Sequence, residues 1–389
     1  MYLSREEEAI LDGESGDSMR KAMELIVALG KVYDADGLID ITSAHISGAS
    51  YKTIGDGGLR YLEDVAKGSK VKVPSTLNPL GMDRERWAEM KISKEFAEKQ
   101  LRIIELYEKM GVRSTCSCTP YLHDNVPKLG DHVAWAESSA LSFVNSYIGA
   151  RTNREGGPGA LAAAIVGKTA NYGLHLDENR VPTVVIDAHI ENTLFDHSLL
   201  GQAVGKMIGS GIPYYRNISP DIEQTKMMAA AMAAAGSVAM FHIENVTPEA
   251  KLHDVSKLEV IHIGRKELED AKDSLNTASD VQLIAFGCPH LTEREMTEMA
   301  AFLDGKKKRK DVDIWFCTSS DVRARCPDQV KILERFGPVL ADTCMVVAPI
   351  ESNYSRTGTN SAKAGNYLPT LCSQKVMCND FAKLMELVI

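Results

Sequence analysis

The second half of the chain alternates short apolar runs with segments of helical character, and this alternation constrains the fold more than any other feature. The runs have the length of buried strands, and most are separated by helical stretches. We predict strands at residues 182–186, 213–216, 238–243, 258–263, 281–286, 312–316 and 345–348. Strands joined through helices usually pair in parallel, so the pattern predicts an α/β fold with largely parallel sheets flanked by helices.

The first half of the chain mixes helices and short strands with polar loops. Strands are predicted at 38–41 and 70–77, and an amphipathic helix at 93–110. Before them, a capping box formed by Ser4 and Glu7 predicts a short helix at the N-terminus. The sequence changes near residue 180 from polar loops to a regular alternation of strands and helices. This change predicts two approximate lobes, a polar-loop lobe at 1–180 and an α/β lobe at 181–389.

Charge and hydropathy exclude two classes of partner. The net charge of −9 argues against nucleic-acid binding, and the one basic run, 306–310, is predicted to be a solvated loop. The longest apolar stretch, 227–241, is too short and too interrupted to span a membrane. Because Met1 is followed closely by charged residues rather than by a secretory signal, we expect a cytoplasmic protein whose eight cysteines are thiols or metal ligands.

Cys288 occupies a position at which α/β folds often bind ligands. It follows directly on the strand predicted at 281–286. A capping box formed by Thr292 and Glu295 predicts that a helix begins just after it. Cys288 is therefore expected in a turn at the carboxyl end of a strand.

Two further cysteines lie in turns far from Cys288 in the sequence. Cys118 sits in a Thr/Pro loop, and Cys344 lies just before the apolar run predicted as a strand. Three thiols from separate turns could hold an iron–sulfur cluster that keeps one iron position open as a Lewis acid, which dehydration requires because hydroxide leaves poorly. Any one of them could instead be an inert buried thiol. The rival ligands are Cys116, Cys317 and Cys326, whereas Cys372 and Cys378 are interpreted as structural.

Polar loops at predicted element ends form a candidate site for a small anion. Arg154 precedes a glycine-rich helix start, where backbone N–H groups and a guanidinium favour a carboxylate or phosphate. Lys363 lies in a dense polar stretch and is a candidate partner for such a group. Each segment reads equally as a structural turn or a solvated loop. The full set that we expect to line the pocket is Gly48, Ala49, Ser50, Asn78, Pro79, Asn145, Ser146, Arg154 and Lys363.

Several long motifs of unusual composition make the chain resemble aconitase X, a distant branch of the aconitase superfamily, over essentially its whole length. They lie at residues 45–51, 77–79, 118–121, 135–140, 145–146, 150–158, 287–290 and 360–363. The resemblance implies a cluster-bearing region spanning 1–389 with an aconitase-like, multi-lobed fold. It also implies a [4Fe-4S] cluster held by Cys118, Cys288 and Cys344. The histidines show no metal-binding spacing and are interpreted as structural.

The resemblance leaves the substrate of the implied hydro-lyase open. One possibility is (R)-5-phosphomevalonate, dehydrated to trans-anhydromevalonate 5-phosphate in an isoprenoid route, and the other is cis-3-hydroxy-L-proline. The opening residues 1–8 and the length favour the first. No segment is left for the swivel domain that supplies the aconitase base, so a separate small subunit is expected to provide it. The competing hypothesis from another class is a non-catalytic α/β binding or scaffold subunit.

Overall fold

The computed structural model describes residues 1–123 and 125–389, in which helices and strands alternate. The strands are β1 (Leu38–Asp40), β2 (Ser43–Ile46), β3 (Ser75–Leu77), β4 (Val133–Trp135), β5 (Lys168–Ala170), β6 (Val184–Ala188), β7 (Pro213–Arg216), β8 (His242–Ile243), β9 (Val260–Ile263), β10 (Leu283–Phe286), β11 (Asp313–Thr318), β12 (Val339–Ala341), β13 (Arg356–Thr359) and β14 (Lys375–Cys378). The α-helices are α1 (Arg5–Leu11), α2 (Asp17–Val32), α3 (Tyr51–Val65), α4 (Lys94–Lys109), α5 (Ser138–Phe143), α6 (Gly157–Val166), α7 (Leu194–Ile208), α8 (Ile222–Ala235), α9 (Arg265–Leu275), α10 (Glu293–Leu303), α11 (Ser320–Arg325), α12 (Pro327–Leu333), α13 (Ala362–Cys372) and α14 (Phe381–Glu386).

Three parallel sheets organise the chain. Their strand orders are β3-β2-β4, β8-β7-β6-β9 and β12-β11-β10-β13-β14. Every pairing within them is parallel, and β1 pairs antiparallel with β5 beside the first sheet. The predicted α/β fold with largely parallel sheets flanked by helices is therefore confirmed. In each sheet the carboxyl ends of the strands lie at one edge, where ligands of α/β proteins collect.

Capping explains why several helices begin where the sequence predicts. Ser4 and Glu7 form the expected capping box at the start of α1, and Thr292 and Glu295 form another at the start of α10. The amphipathic helix predicted at 93–110 is α4, which Ser93 caps and which buries one apolar face. None of the helices in the described residues is both long and apolar enough to cross a membrane.

Some strand predictions need correction. Residues 345–348 form turns rather than a strand, because the apolar side chains there pack into the core without a neighbouring strand to pair with. The strands predicted at 238–243 and 70–77 are limited to His242–Ile243 and Ser75–Leu77. Strands β2, β4, β5, β12, β13 and β14 were not predicted, since short and partly polar segments such as Arg356–Thr359 carry no clear alternating pattern.

Candidate active site

A cavity of about 400 Å³ lies between the first and the third sheet, at the carboxyl ends of their strands. This volume falls within the usual range for small-molecule sites. Its walls are formed by Ser47, Gly48, Ala49, Ser50, Thr53, Ile54, Asn78, Pro79, Cys118, Ala136, Glu137, Ser138, Arg154, Glu155, Cys344, Val346, Val347, Lys363, Tyr367 and Leu371. Seven of the nine residues predicted to line a pocket are among them, together with two of the three predicted ligand cysteines.

The first sheet contributes the loops that follow its three strands. The segment Gly48–Ser50 follows β2, Asn78 and Pro79 follow β3, and Glu137 follows β4. Ser50 caps helix α3 and also donates its hydroxyl hydrogen bond to the carbonyl of Val347, 2.8 Å away, which ties this loop to the opposite wall. The parallel register of the strands thus brings segments that are distant in sequence to one edge.

The third sheet contributes the opposite wall in the same manner. Cys288 follows β10, Cys344 follows β12, and Lys363 begins helix α13 after β13. Gly287 adopts a φ of +94°, and a Cβ atom there would lie 2.0 Å from the carbonyl oxygen of Cys317. Only glycine fits so close to the neighbouring strand, and this close approach determines where Cys288 leaves the sheet.

The three predicted ligand cysteines lie together and are buried. The thiols of Cys288 and Cys344 are hydrogen bonded to each other, which raises the pKa of Cys288 and lowers that of Cys344. Cys118 lies within electrostatic reach of both, and burial raises the pKa of its thiol to about 12. The nearby Lys363 ammonium opposes this increase and favours the thiolate.

The chemistry of this donor set fits an iron–sulfur cluster better than a single metal ion. In the part of the chain that the structure describes, no group of three His, Cys, Asp or Glu side chains is arranged to hold one ion. A cluster does not need such an arrangement, because each thiolate binds a different iron atom. Three buried thiols from three turns, at a cavity that also contains a cation, match that requirement.

The other five cysteines are also buried, and like Cys288 they are not part of the cavity wall. The thiol of Cys116 accepts a hydrogen bond from Arg84 at 3.0 Å, and burial raises its pKa to about 12. Burial also raises the pKa of Cys317, which lies within strand β11 and within electrostatic reach of Cys344 and Cys118. Cys326 separates helices α11 and α12, Cys372 ends α13, and Cys378 ends β14.

A buried ion pair crosses the cavity between the two sheets. The Lys363 ammonium donates hydrogen bonds to Glu137 Oε1 and to Ser139 Oγ, at 2.5 and 3.0 Å. Burial alone would raise the pKa of Glu137, but Lys363 and hydrogen bonds from Asn78 and Ser139 lower it to about 2. Burial would likewise lower the pKa of Lys363, yet Glu137 and the thiols keep it well above its ordinary value. Both groups are therefore charged.

Behind this pair, a chain of hydrogen bonds fixes the orientation of Asn78. Its amide nitrogen donates to Glu137 Oε2 at 2.8 Å, and its oxygen lies 3.3 Å from His45 Nε2. Because an amide oxygen only accepts, His45 carries its proton on Nε2, and its Nδ1 accepts from the Thr76 hydroxyl at 2.9 Å. Burial lowers the pKa of His45 to about 4, so the ring is neutral at physiological pH.

The glycine-rich helix start lies at the same cavity. Helix α6 begins at Gly157 without a side-chain cap, and its second residue, Pro158, has no N–H. Arg154 and Glu155 precede it and line the cavity. Arg154 is exposed, whereas Glu155 is buried and accepts a hydrogen bond from Thr169. Burial raises the pKa of Glu155, and the hydrogen bond from Thr169 opposes this increase.

Two predicted residues lie elsewhere. Asn145 donates its side-chain hydrogen bonds to the carbonyls of Thr152 and Ala239, and Ser146 donates to Ser142. Both are buried, and neither is part of the cavity wall. Their contacts hold the segment between α5 and α6.

Glu137 and Ser138 were not predicted as site residues, although they line the cavity. The sequence pattern around them reads as a helix start, and Glu137 is indeed the N-cap of α5. The sequence did contain an indication of a site, since Glu137, followed by two serines, lies just after the end of strand β4. A carboxylate at the end of a parallel strand can equally serve as a cap or as a site residue.

Taken together, the cavity brings two cationic side chains, a buried carboxylate and buried thiols close to one another. The Arg154 guanidinium favours negative charge at the cavity wall, which Cys118 and Cys344 also line. The charged Lys363–Glu137 pair lies at the same cavity and is excluded from solvent. Electrostatic interactions are strong in such a setting.

Family models divide the chain into three parts. Residues 1–178 match the aconitase X first domain, residues 182–273 the second domain and residues 281–389 the third domain. The crystal structure of Thermococcus kodakaraensis aconitase X in its holo-form has a TM-score of 0.93 and 45% identity, with complete coverage of both chains.

Two named relatives bear on function. The chain is 49% identical to the phosphomevalonate dehydratase large subunit of Methanocaldococcus jannaschii, over 99% of this chain and 100% of that protein. It is 32% identical to the cis-3-hydroxy-L-proline dehydratase of Pseudomonas aeruginosa, over 98% of this chain but only 69% of that protein.

Proposed function

The chain belongs to the aconitase X family, and from that premise we propose that it is the large subunit of a phosphomevalonate dehydratase. The reaction removes water from (R)-5-phosphomevalonate to form trans-anhydromevalonate 5-phosphate, a step of isoprenoid biosynthesis. The observation that carries the chemical part is the meeting of Cys118, Cys288 and Cys344 beside a cavity that contains Lys363 and Glu137.

We propose that these three cysteines hold a [4Fe-4S] cluster. When bound, a cluster with three protein ligands supplies a Lewis acid toward the leaving hydroxyl group. The chain's own residues exclude water and orient the substrate. Lys363 keeps positive charge next to the thiolates, and Glu137 holds the ammonium in place.

The substrate-binding role is assigned to the polar loops of the cavity. Gly48, Ala49 and Ser50 lie before helix α3, Asn78 and Pro79 form the adjacent loop, and both loops line the cavity together with the Lys363 cation. The uncapped start of α6 and Arg154 offer a second anion-binding region. A substrate that carries both a carboxylate and a phosphate suits two such regions better than a zwitterionic amino acid does.

We also propose that a small subunit with the swivel domain completes the site. The relatives named large subunits imply such a partner. No base is assigned to this chain, because Lys363 is held as a cation, its partner Glu137 has a pKa lowered to about 2, and His45 donates to Asn78. Proton abstraction needs a base within hydrogen-bond reach of the substrate, so the partner would provide it. We expect the complex in the cytoplasm, where its thiols remain reduced.

The test is anaerobic reconstitution with iron and sulfide, followed by dehydration assays with and without the small subunit. We expect about four irons per chain, broad absorption near 400 nm, and turnover of phosphomevalonate only in the complex. A colourless chain that takes up no iron would favour the non-catalytic scaffold hypothesis.

The same assay decides between the two substrates. Turnover of cis-3-hydroxy-L-proline without turnover of phosphomevalonate would reverse the assignment of substrate and leave the two-subunit model standing. Full turnover of phosphomevalonate by the large subunit alone would contradict the two-subunit model.

A further inference from the structure

His290 contacts all three segments that carry the proposed ligand cysteines. It follows Cys288 by two residues in the same turn. Its backbone N–H donates to the Cys118 thiol at 3.2 Å, and its Nε2 lies 2.8 Å from the carbonyl of Thr343, which precedes Cys344. A carbonyl only accepts, so Nε2 carries the proton and donates. The side chain is 1% exposed, so these contacts do not compete with solvent.

The position of His290 is fixed in turn by a buried lysine. Lys226 Nζ donates to the His290 carbonyl at 3.0 Å and forms an ion pair with Glu295. Glu295 also accepts the backbone N–H of Thr292 at 2.8 Å. Because Lys226 lies on α8 and Glu295 on α10, the contact joins the second and third family domains at the cysteine turn.

Packing alone does not account for Lys226. Helix α8 is composed mostly of alanine and methionine over its buried length, and Lys226 has no exposed surface within it. Taking two charges out of water has a large desolvation cost, and apolar residues of similar volume are often as stable. The ion pair is therefore better explained by the hydrogen bond from Lys226 to the His290 carbonyl than by a contribution to the stability of the fold.

We propose that His290 is a positioning residue for the iron–sulfur cluster and that the Lys226–Glu295 pair holds it in place. This inference rests on the proposed function. The imidazole joins the Cys344 turn to the Cys288 turn, and the backbone N–H orients the sulfur of Cys118. Groups just outside a metal's ligands orient those ligands in this way, and their loss typically weakens metal binding by about 10- to 100-fold.

The experiment measures retention of the cluster rather than activity. The reconstituted wild-type chain and the variants His290→Ala, His290→Gln and K226M are exposed to a chelator, while visible absorption and visible circular dichroism are followed. We expect His290→Ala and K226M to lose the cluster about 10- to 100-fold faster than wild type. His290→Gln should recover part of the loss, because its side-chain N–H can donate to the Thr343 carbonyl.

A second buried pair serves as the matched control. Arg180 lies between the first and second family domains and forms a buried ion pair with Glu249 of the second. It also donates to the carbonyls of Asn145 and Ala150 in the first domain, away from the cysteines. The R180M variant should lower the melting temperature without accelerating cluster loss. If K226M does not fold, the double variant K226M/E295Q, which leaves no unpaired buried charge, takes its place.

The outcomes are distinguishable. If His290→Ala and K226M (or K226M/E295Q in its place) keep the cluster as long as wild type does, this inference is overturned. The proposed function is not affected by that outcome. Equal acceleration by R180M would also overturn it, since general destabilisation would then explain the effect. A wild-type chain that takes up no iron would overturn the proposed function, and this inference with it.

Discussion

Lys363 and Glu137 are 226 residues apart in the chain, yet their side chains form a buried ion pair 2.5 Å long across the cavity. One residue follows a strand of the third sheet and the other a strand of the first. The pair therefore joins the two walls and places a fixed positive charge beside the thiols. Its geometry depends on both sheets being correctly packed.

The ion pair predicts a particular pattern of substitution effects. Lys363→Met should destabilise the chain by about 3–5 kcal/mol, because it leaves Glu137 buried without its partner. The double variant Lys363→Met with Glu137→Gln should recover much of this loss but not the activity. Urea unfolding measures the stability and steady-state kinetics measure the activity. If the double variant loses as much stability as Lys363→Met and Glu137→Gln lose in sum, the two residues are not coupled.

Lys363 is also expected to contribute to binding of the anionic substrate. A charge-assisted contact is worth about 1.5–3 kcal/mol, so Lys363→Ala should weaken substrate binding roughly ten- to hundredfold. The measurement is the change in KM and kcat of the reconstituted complex. If both constants are unchanged, Lys363 does not belong to the substrate site.

The three cysteines should behave differently from the others. Cys118→Ala, Cys288→Ala and Cys344→Ala should each lose the cluster and the activity, whereas Cys372→Ala and Cys378→Ala should keep both. Cys116→Ala is the sharpest control, because its thiol is buried nearby but bonds to Arg84. Iron and sulfide analysis after anaerobic reconstitution checks this. A full cluster in any of the first three variants would show that the ligand set is wrong.

Arg154 should act on substrate binding more than on structure. The side chain is exposed at the cavity, so Arg154→Gln should raise KM about tenfold while leaving the melting temperature unchanged. Arg151→Gln is a suitable control, since Arg151 bonds to His175 and Asp177 rather than to the cavity. Equal KM values in the two variants would remove Arg154 from the site.

His45 should make stability depend on pH in the acidic range. Burial lowers its pKa from 6.5 to about 4, so between these values the unfolded chain binds a proton that the folded chain does not. The free energy of unfolding therefore falls as the pH decreases from 6.5 to 4, by up to about 1.4 kcal/mol per pH unit for this group. Urea unfolding of cluster-free His45→Gln should show a shallower slope than wild type, and exposed His189→Gln should not. Identical slopes in all three would contradict this account.

Local features of the chain were predicted well because they depend on few neighbours. The capping boxes at Ser4 and Thr292 determine helix starts through contacts three residues apart. The turn at Cys288 was predicted for a similar reason, since a buried apolar run immediately precedes a helix start. The family resemblance added the loops after β2 and β3, and the structure places them at the cavity.

What the sequence by itself determined is the fold class and the loops from which the site is built. Only the tertiary structure decided which of these loops meet. Glu137 lines the cavity, where Lys363 from the third sheet contacts it, whereas Asn145 turns its side chain to the carbonyls of Thr152 and Ala239. Likewise, residues 345–348 have the composition of a strand but form turns, since a strand also needs a neighbour to pair with. Contacts such as Lys363–Glu137 and Lys226–Glu295 depend on how separate sheets and helices pack, which no local pattern specifies.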